Sequence, residues 1–217
     1  MNNKRKSLII QKTLNKIYPR VPVPLSYRNT FTLLISVLLS AQCTDVNVNN
    51  VTKGIYPKYN HPKHFVKLGR KKIERLIKKI GIFRVKAKSI YYLSKTLVEK
   101  YNSKVPNTYE ELEKLPGVGH KTASVVMSQG FGFPAFPVDT HIHRLAQRWG
   151  LTNGKNVVQT EKDLKAVFPK RNWNNLHLQI IWYGREYCKA RDCFGLTCKI
   201  CKSCYPNRKK KFTAKKA

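Results

Sequence analysis

Apolar residues recur at intervals of three and four along most of the chain, which is the period of an α-helix. Within residues 84–101, Ile90, Leu93, Leu97 and Tyr101 follow one another at this spacing, and lysines occupy the opposite side. No stretch shows the sustained alternation of apolar and polar residues that a half-buried strand requires. The pattern therefore predicts an all-α protein.

The most apolar predicted helix covers residues 27–42, and it is expected at the centre of a core because it has no wide polar face. Pro22 and Pro24 interrupt the helical pattern before it, and Pro134 and Pro137 interrupt the pattern again later. These breaks predict a helical lobe of residues 23–133, a discontinuous lobe of residues 1–22 and 134–205, and a basic, disordered tail of residues 206–217.

The longest apolar run, residues 31–41, contains Thr32, Ser36 and Ser40 and is far shorter than the ~20 apolar residues of a membrane helix. The basic N-terminus is not followed by the apolar segment and small-residue cleavage site of a secretion signal. We therefore expect a cytoplasmic protein that does not bind a membrane.

Charge narrows the class of partner. The chain carries 43 Lys and Arg against 11 Asp and Glu, a formal net charge of +32, which favours binding to a polyanion such as DNA. An AT-rich genome would also place lysine and asparagine at permissive surface positions, and it could account for about half of the excess. The charge thus predicts the sign of the partner and not the size of the interface.

Residues 115–123 read Leu-Pro-Gly-Val-Gly-His-Lys-Thr-Ala and lie between two predicted helices. Gly117 and Gly119 allow the backbone to turn tightly. The amides at the start of the following helix would then form an anion site that suits a DNA phosphate. The alternative is an ordinary helical hairpin with a glycine-rich corner, which would leave Lys121 unexplained.

Lys121 lies in the first turn of this second helix, where the positive end of the helix dipole disfavours an ammonium group. A neutral lysine can attack the C1′ atom of a damaged nucleotide, expel the base and form a Schiff base. Asp139 precedes another helical run, so it can serve as an N-cap, as the carboxylate that stabilises the transition state, or as both. The alternative for Lys121 alone is a surface lysine that contacts phosphate.

With these residues in view, the sequence closely resembles the endonuclease III family of DNA glycosylases, within the helix-hairpin-helix superfamily. The motifs that carry the resemblance are residues 39–45, 80–82, 115–123, 138–144 and 184–185, with the terminal cysteines. The resemblance implies a six-helix barrel with the helix-hairpin-helix and a second lobe that bears an iron-sulfur cluster, with DNA in the cleft between them. It also implies a monomer associated with the bacterial nucleoid.

The same resemblance implies an activity and assigns residues to it. The expected substrate is duplex DNA with oxidised pyrimidines or abasic sites, with Lys121 as nucleophile and Asp139 as its partner. Gln42 would fill the space left by a flipped base, Ile82 would wedge against the opposite strand, and His141 would contact DNA. Lys121 favours a bifunctional enzyme that also cuts the strand. A monofunctional glycosylase for mismatched or alkylated bases and a noncatalytic DNA-binding scaffold are the alternatives.

Five of the six cysteines crowd into residues 188–204, which indicates a metal or cluster site in a chain without a secretion signal. Their C-x4-C-x4-C-x2-C-x2-C spacing departs from the usual pattern of the family. The resemblance implies a [4Fe-4S] cluster, and a four-thiolate zinc site is the alternative. The first ligand set is Cys188, Cys198, Cys201 and Cys204, because the last three repeat a ferredoxin step. Cys193 is the reserve ligand, in the alternative set of Cys188, Cys193, Cys198 and Cys201.

Overall fold

The computed structural model describes residues 1–216. These residues form eleven α-helices and include no strand, so the predicted all-α class is confirmed. The helices are α1 Asn3–Ile17, α2 Thr30–Ser40, α3 Asp45–Thr52, α4 Pro62–Leu76, α5 Phe83–Lys100, α6 Tyr109–Glu113, α7 His120–Val125, α8 Thr140–Arg148, α9 Val157–Val167, α10 Trp173–Glu186 and α11 Lys199–Cys204. A π-helical turn, Val126–Gly130, continues α7, and a 3-10 turn, Lys170–Asn172, precedes α10.

The chain divides into two compact units. The central unit spans Val23–Phe133 and contains α2 to α7. The terminal unit joins Met1–Pro22 to Pro134–Ala217 and contains α1 and α8 to α11.

The core of the central unit forms around α2, which is buried from Phe31 to Leu39. This helix is shorter than predicted, because Asn29 caps its start in a capping box with Thr32 and the backbone leaves the helical conformation at Ala41. The longest packing interface of the unit joins α4 to α5. Helix α4 bends at Gly69, whose φ of 70° and ψ of 159° lie outside the helical region.

The terminal unit is built from both ends of the chain. Helix α8 packs on α10, and α1 packs against α9, α10 and α11. Ile10 and Leu14 of α1 are fully buried beside Trp149 and Tyr183. None of the helices in residues 1–216 combines the length and apolar character that a membrane crossing demands.

The basic tail differs from the expected disorder, because described residues after Tyr205 pack on the terminal unit. The Phe212 amide donates to the Phe194 carbonyl at 2.9 Å, and the Arg208 guanidinium donates to the Arg148 carbonyl at 2.8 Å. Further on, the Lys215 amide donates to the Gln147 side chain at 2.8 Å. The Arg208 guanidinium also lies over the Phe212 ring, so these two residues anchor the lysine-rich segment to the terminal unit.

Candidate functional site

The glycine-rich turn between α6 and α7 has one glycine that the backbone requires. Gly117 adopts a φ of 80°, and an added Cβ would lie 2.8 Å from the Ser89 Cβ and 3.2 Å from the Leu38 Cδ1. Gly119 is the N-cap of α7 and faces open space, with an extended backbone that other residues could adopt. Gly117 therefore sets the turn, and Gly119 keeps side-chain atoms away from the start of α7.

Lys121 is the second residue of α7 and is exposed to solvent. Its neighbour His120 is fixed from the other side of the hairpin, since the His120 Nδ1 lies 2.8 Å from a Glu113 carboxylate oxygen. The His120 ring also stacks on Tyr109 at a centroid distance of 5.4 Å. These contacts hold the start of α7 to α6 and leave Lys121 pointing away from the core.

Asp139 lies in the terminal unit and caps α8, which is the N-cap role that its position in the sequence predicts. Its Oδ1 accepts a hydrogen bond from the Ile142 amide at 2.8 Å, and the side chain is half-buried. The second carboxylate oxygen takes no part in that hydrogen bond. A cap of this kind fixes the carboxylate in one orientation, which suits a group that must stabilise charge at a defined position.

His141 is the second residue of α8 and is half-buried, with its Nδ1 3.3 Å from the Arg144 guanidinium. Burial lowers the pKa of His141, and the positive charges of Arg144 and Arg185 lower it further against the opposing effect of Asp139. A largely neutral imidazole can donate or accept one hydrogen bond at a DNA backbone, so the predicted contact role requires no charge.

Gln42 and Ile82 lie on neighbouring loops of the central unit. Both adopt left-handed backbone conformations, with φ of 54° for Gln42 and 57° for Ile82. The two loops are close together, because a Cβ added to Gly81 would lie 3.7 Å from the Gln42 carbonyl oxygen. Both side chains are exposed, and Ile82 retains 53% of its surface. An exposed isoleucine at positive φ is unusual for a β-branched residue, which favours a functional over a packing role.

The cysteine cluster differs from the first ligand set. The structure brings together the sulfurs of Cys188, Cys193, Cys198 and Cys201, all within 4.8 Å of one another and all buried. Cys204 is buried but lies outside this group, so Cys193 takes its place and the alternative set is the one assembled. The reason is that residues 199–204 form the helix α11, in which each three-residue step advances about 4.5 Å along the axis. Cys204 lies two such steps beyond Cys198 and is carried away from the other sulfurs.

The donor set fits a metal centre, since four thiols converge in a core shielded from water. The Sγ of Cys201 lies 3.9 Å from those of Cys188 and Cys193. A tetrahedral zinc site with bonds of about 2.3 Å would space its sulfurs about 3.8 Å apart, which is close to these two separations. A four-iron cluster has the same ligand chemistry and needs the thiols to move outward.

Two arginines of α8 that the sequence analysis did not single out support this group. The Arg144 guanidinium donates to the Cys188 carbonyl at 3.1 Å. The buried Arg148 donates to the Lys189 carbonyl at 2.8 Å, to the Ala190 carbonyl at 2.8 Å and to the Cys188 Sγ at 3.3 Å. Their placement on the inner side of an amphipathic helix was the available signal, because arginine there must have buried acceptors.

Comparisons with known proteins agree with this description. The model of the HhH-GPD superfamily of base excision DNA repair proteins matches residues 35–170. Endonuclease III of Bacillus subtilis (strain 168) is 41% identical over 205 residues, which cover 93% of this chain and 94% of the relative. Endonuclease III of Escherichia coli (strain K12) is 42% identical over 189 residues, covering 87% and 90%.

Solved structures give the same result. A trapped covalent intermediate of endonuclease III with DNA superimposes with a TM-score of 0.87 at 41% identity, covering 92% of this chain and 94% of the other. A noncovalent endonuclease III complex with DNA also gives a TM-score of 0.87, at 40% identity and the same coverage. A thermostable thymine-DNA glycosylase, at 22% identity and a TM-score of 0.80, shares the fold.

Proposed function

Because the chain belongs to the endonuclease III family of HhH-GPD base excision repair proteins, we propose that Lys121 performs both of its reactions. The protein is a bifunctional DNA glycosylase and abasic-site lyase that binds DNA. The observation that carries the assignment of Lys121 is its position. It is an exposed lysine in the first turn of α7, two residues after the glycine that ends the hairpin turn.

The proposed reaction begins when the neutral Lys121 amine attacks C1′ of the damaged nucleotide and the base leaves with the electrons of the glycosidic bond. Loss of a proton and opening of the sugar give an imine between Nζ and C1′. The imine acidifies the C2′ protons. Removal of one of them expels the 3′ phosphate by β-elimination, and water then hydrolyses the imine to free the enzyme.

Asp139 is proposed to stabilise the positive charge that develops on the sugar and to assist proton transfer. The cap hydrogen bond to Ile142 supports this role, because it fixes the carboxylate without neutralising it. The hairpin at Gly117 and Gly119 is proposed to bind a DNA phosphate, and His141 to make a further contact with the backbone.

The proposed substrate is duplex DNA that contains an oxidised pyrimidine, acted on by a monomer at the bacterial nucleoid. Gln42 would occupy the space that the flipped nucleotide leaves, and Ile82 would wedge against the opposite strand. Their exposure and left-handed backbones support these roles.

The proposed cofactor is a [4Fe-4S] cluster held by Cys188, Cys193, Cys198 and Cys201, with a single zinc ion as the alternative. Such a group would crosslink the loop before α11 to the end of α10. The basic residues of that loop, including Lys189 and Arg191, could then meet DNA phosphates from a fixed backbone.

The test is borohydride trapping on duplexes that carry thymine glycol or an abasic site. The wild-type protein should form a covalent adduct, and Lys121→Gln should form none while still binding the duplex. Lys95→Ala is the matched control, since it removes an exposed lysine of α5 that pairs only weakly with Glu99 at 3.7 Å. It should trap as the wild type does.

Two outcomes would contradict the assignment. Binding by the wild type with neither base release nor adduct would leave a scaffold. Base release without an adduct or a strand break would identify a monofunctional glycosylase.

A further inference from the structure

Lys86 is a buried lysine whose partners are backbone carbonyls. It lies on the inner face of α5 with only 6% of its surface exposed. Its Nζ donates to the Leu39 carbonyl at 2.9 Å and to the Ala41 carbonyl at 2.6 Å. Within residues 1–216 it forms no ion pair with a carboxylate, and burial lowers its pKa. Such a residue is costly to bury, so its position calls for an explanation.

The two carbonyls lie at the C-terminal end of α2, where the helix dipole is negative and carbonyls lack partners within the helix. Ala41 immediately precedes Gln42, the residue with a φ of 54°. The Lys86 ammonium therefore fixes the peptide from which Gln42 begins its left-handed turn.

The backbone of Lys86 is tied to the second exposed residue. Ile82 is the N-cap of α5, and its carbonyl accepts from the Lys86 amide at 3.2 Å and from the Val85 amide at 3.1 Å. One residue thus joins the loop of Gln42 through its side chain to the loop of Ile82 through its main chain. Non-glycine residues persist in left-handed conformations only where the surrounding structure fixes them.

A second, weaker link joins the same two loops on the outer side. The Asn47 side-chain amide donates to the Lys79 carbonyl at 3.0 Å and lies 3.2 Å from the Cys43 Sγ. Asn47 is half-buried, so water can replace part of this link. Of the two residues that link these loops, Lys86 is the buried one and Asn47 is the partly exposed one.

We propose that Lys86 is a positioning residue that holds Gln42 and Ile82 together in the conformation that enters the DNA duplex. This inference rests on the proposed function, because it concerns the residues assigned to the space beside a flipped nucleotide. It predicts a selective defect. Action on a lesion in a duplex requires both the Gln42 and the Ile82 side chains. A single strand with an abasic site has no stacked space for Gln42 to fill and no opposite strand for Ile82 to contact.

The test compares Lys86→Met, which keeps the length of the side chain without its charge, with the wild type on two substrates. On duplex thymine glycol we expect kcat/KM to fall at least about tenfold, the scale set by loss of hydrogen bonds from a charged donor. Cleavage of a single-stranded abasic oligonucleotide should change by less than about twofold, because Lys121 and Asp139 are untouched.

A double-mutant cycle separates positioning from general stability. If Lys86 acts through Gln42 and Ile82, Lys86→Met should cost less than about twofold on the duplex when both residues are already alanine. Asn47→Ala should lower kcat/KM by a smaller factor, again more on the duplex than on the single strand. This variant replaces Lys86→Met in the comparison if Lys86→Met does not fold.

Several results would overturn the inference. These are equal losses on both substrates, a full additional loss in the Gln42→Ala and Ile82→Ala background, and unchanged duplex activity of Lys86→Met. In each case the wild type remains active, so the proposed function stands. A wild type that acts on neither substrate would instead overturn the proposed function and this inference with it.

Discussion

Asp139 has two roles that one pair of substitutions can separate. As the N-cap of α8 it accepts the Ile142 amide at 2.8 Å, which a neutral acceptor can also do. As the proposed catalytic carboxylate it needs its negative charge. Asp139→Asn keeps the cap and removes the charge, whereas Asp139→Ala removes both.

Each of the two effects has an expected size. Loss of an N-cap acceptor to alanine costs about 1 kcal/mol. For a chain of this length that free energy lowers the melting temperature by about 2–4 °C. Loss of a charge that assists proton transfer and stabilises the transition state costs about 10²- to 10⁴-fold in rate. Asp139→Asn should therefore have the melting temperature of the wild type and a much lower rate. Asp139→Ala should have both a lower melting temperature and a much lower rate.

The assays are thermal unfolding at one scan rate and single-turnover release of thymine glycol. Asn156→Ala is the matched control, since Asn156 caps α9 of the same unit by accepting the Gln159 amide at 2.8 Å. It should lower the melting temperature by a similar amount and keep full activity. Wild-type turnover by Asp139→Asn, with loss in Asp139→Ala alone, would refute the catalytic role and leave only the cap.

Two further predictions concern the terminal unit. Cys193→Ala should abolish the visible absorption and the iron content of the purified protein, whereas Cys204→Ala should keep both. The reverse result would support the ligand set of Cys188, Cys198, Cys201 and Cys204. Zinc in place of iron would identify the alternative metal. Burial lowers the pKa of His177 to about 4 from 6.5, so between these values the unfolded chain binds a proton that the folded chain excludes. The free energy of unfolding should then fall by about 1.4 kcal/mol per pH unit as pH drops through this window. His177→Gln should flatten that slope in urea titrations from pH 7 to about pH 5, and an unchanged slope would assign the acid sensitivity to other groups.

Local chemistry explains why much of the fold was predictable from sequence. Helix α8 was expected from its apolar stripe and from Asp139 before it, and it begins at Thr140 as that pattern indicates. Gly117 was expected to set a tight turn, and its φ of 80° agrees. Both features depend on a few adjacent residues, so no long-range contact is needed to predict them.

Features that depend on distant contacts were missed. Lys86 has no distinguishing mark among so many lysines, because its partners come from α2, more than forty residues away in sequence. The choice between Cys193 and Cys204 likewise depends on whether residues 199–204 form a loop or a helix. The tail was expected to be disordered from its charge, but Phe212 and Arg208 give it specific anchors on the terminal unit.

The terminal unit has a consequence for how the protein is made. Ile10 and Leu14 of α1 are buried against elements that include α11, whose last residue is Cys204. During synthesis the central unit emerges as one continuous segment, and domains generally fold as units. The apolar face of α1 stays uncovered until α9, α10 and α11 have been translated. A chain that stops before residue 134 therefore leaves α1 without the helices on which it packs.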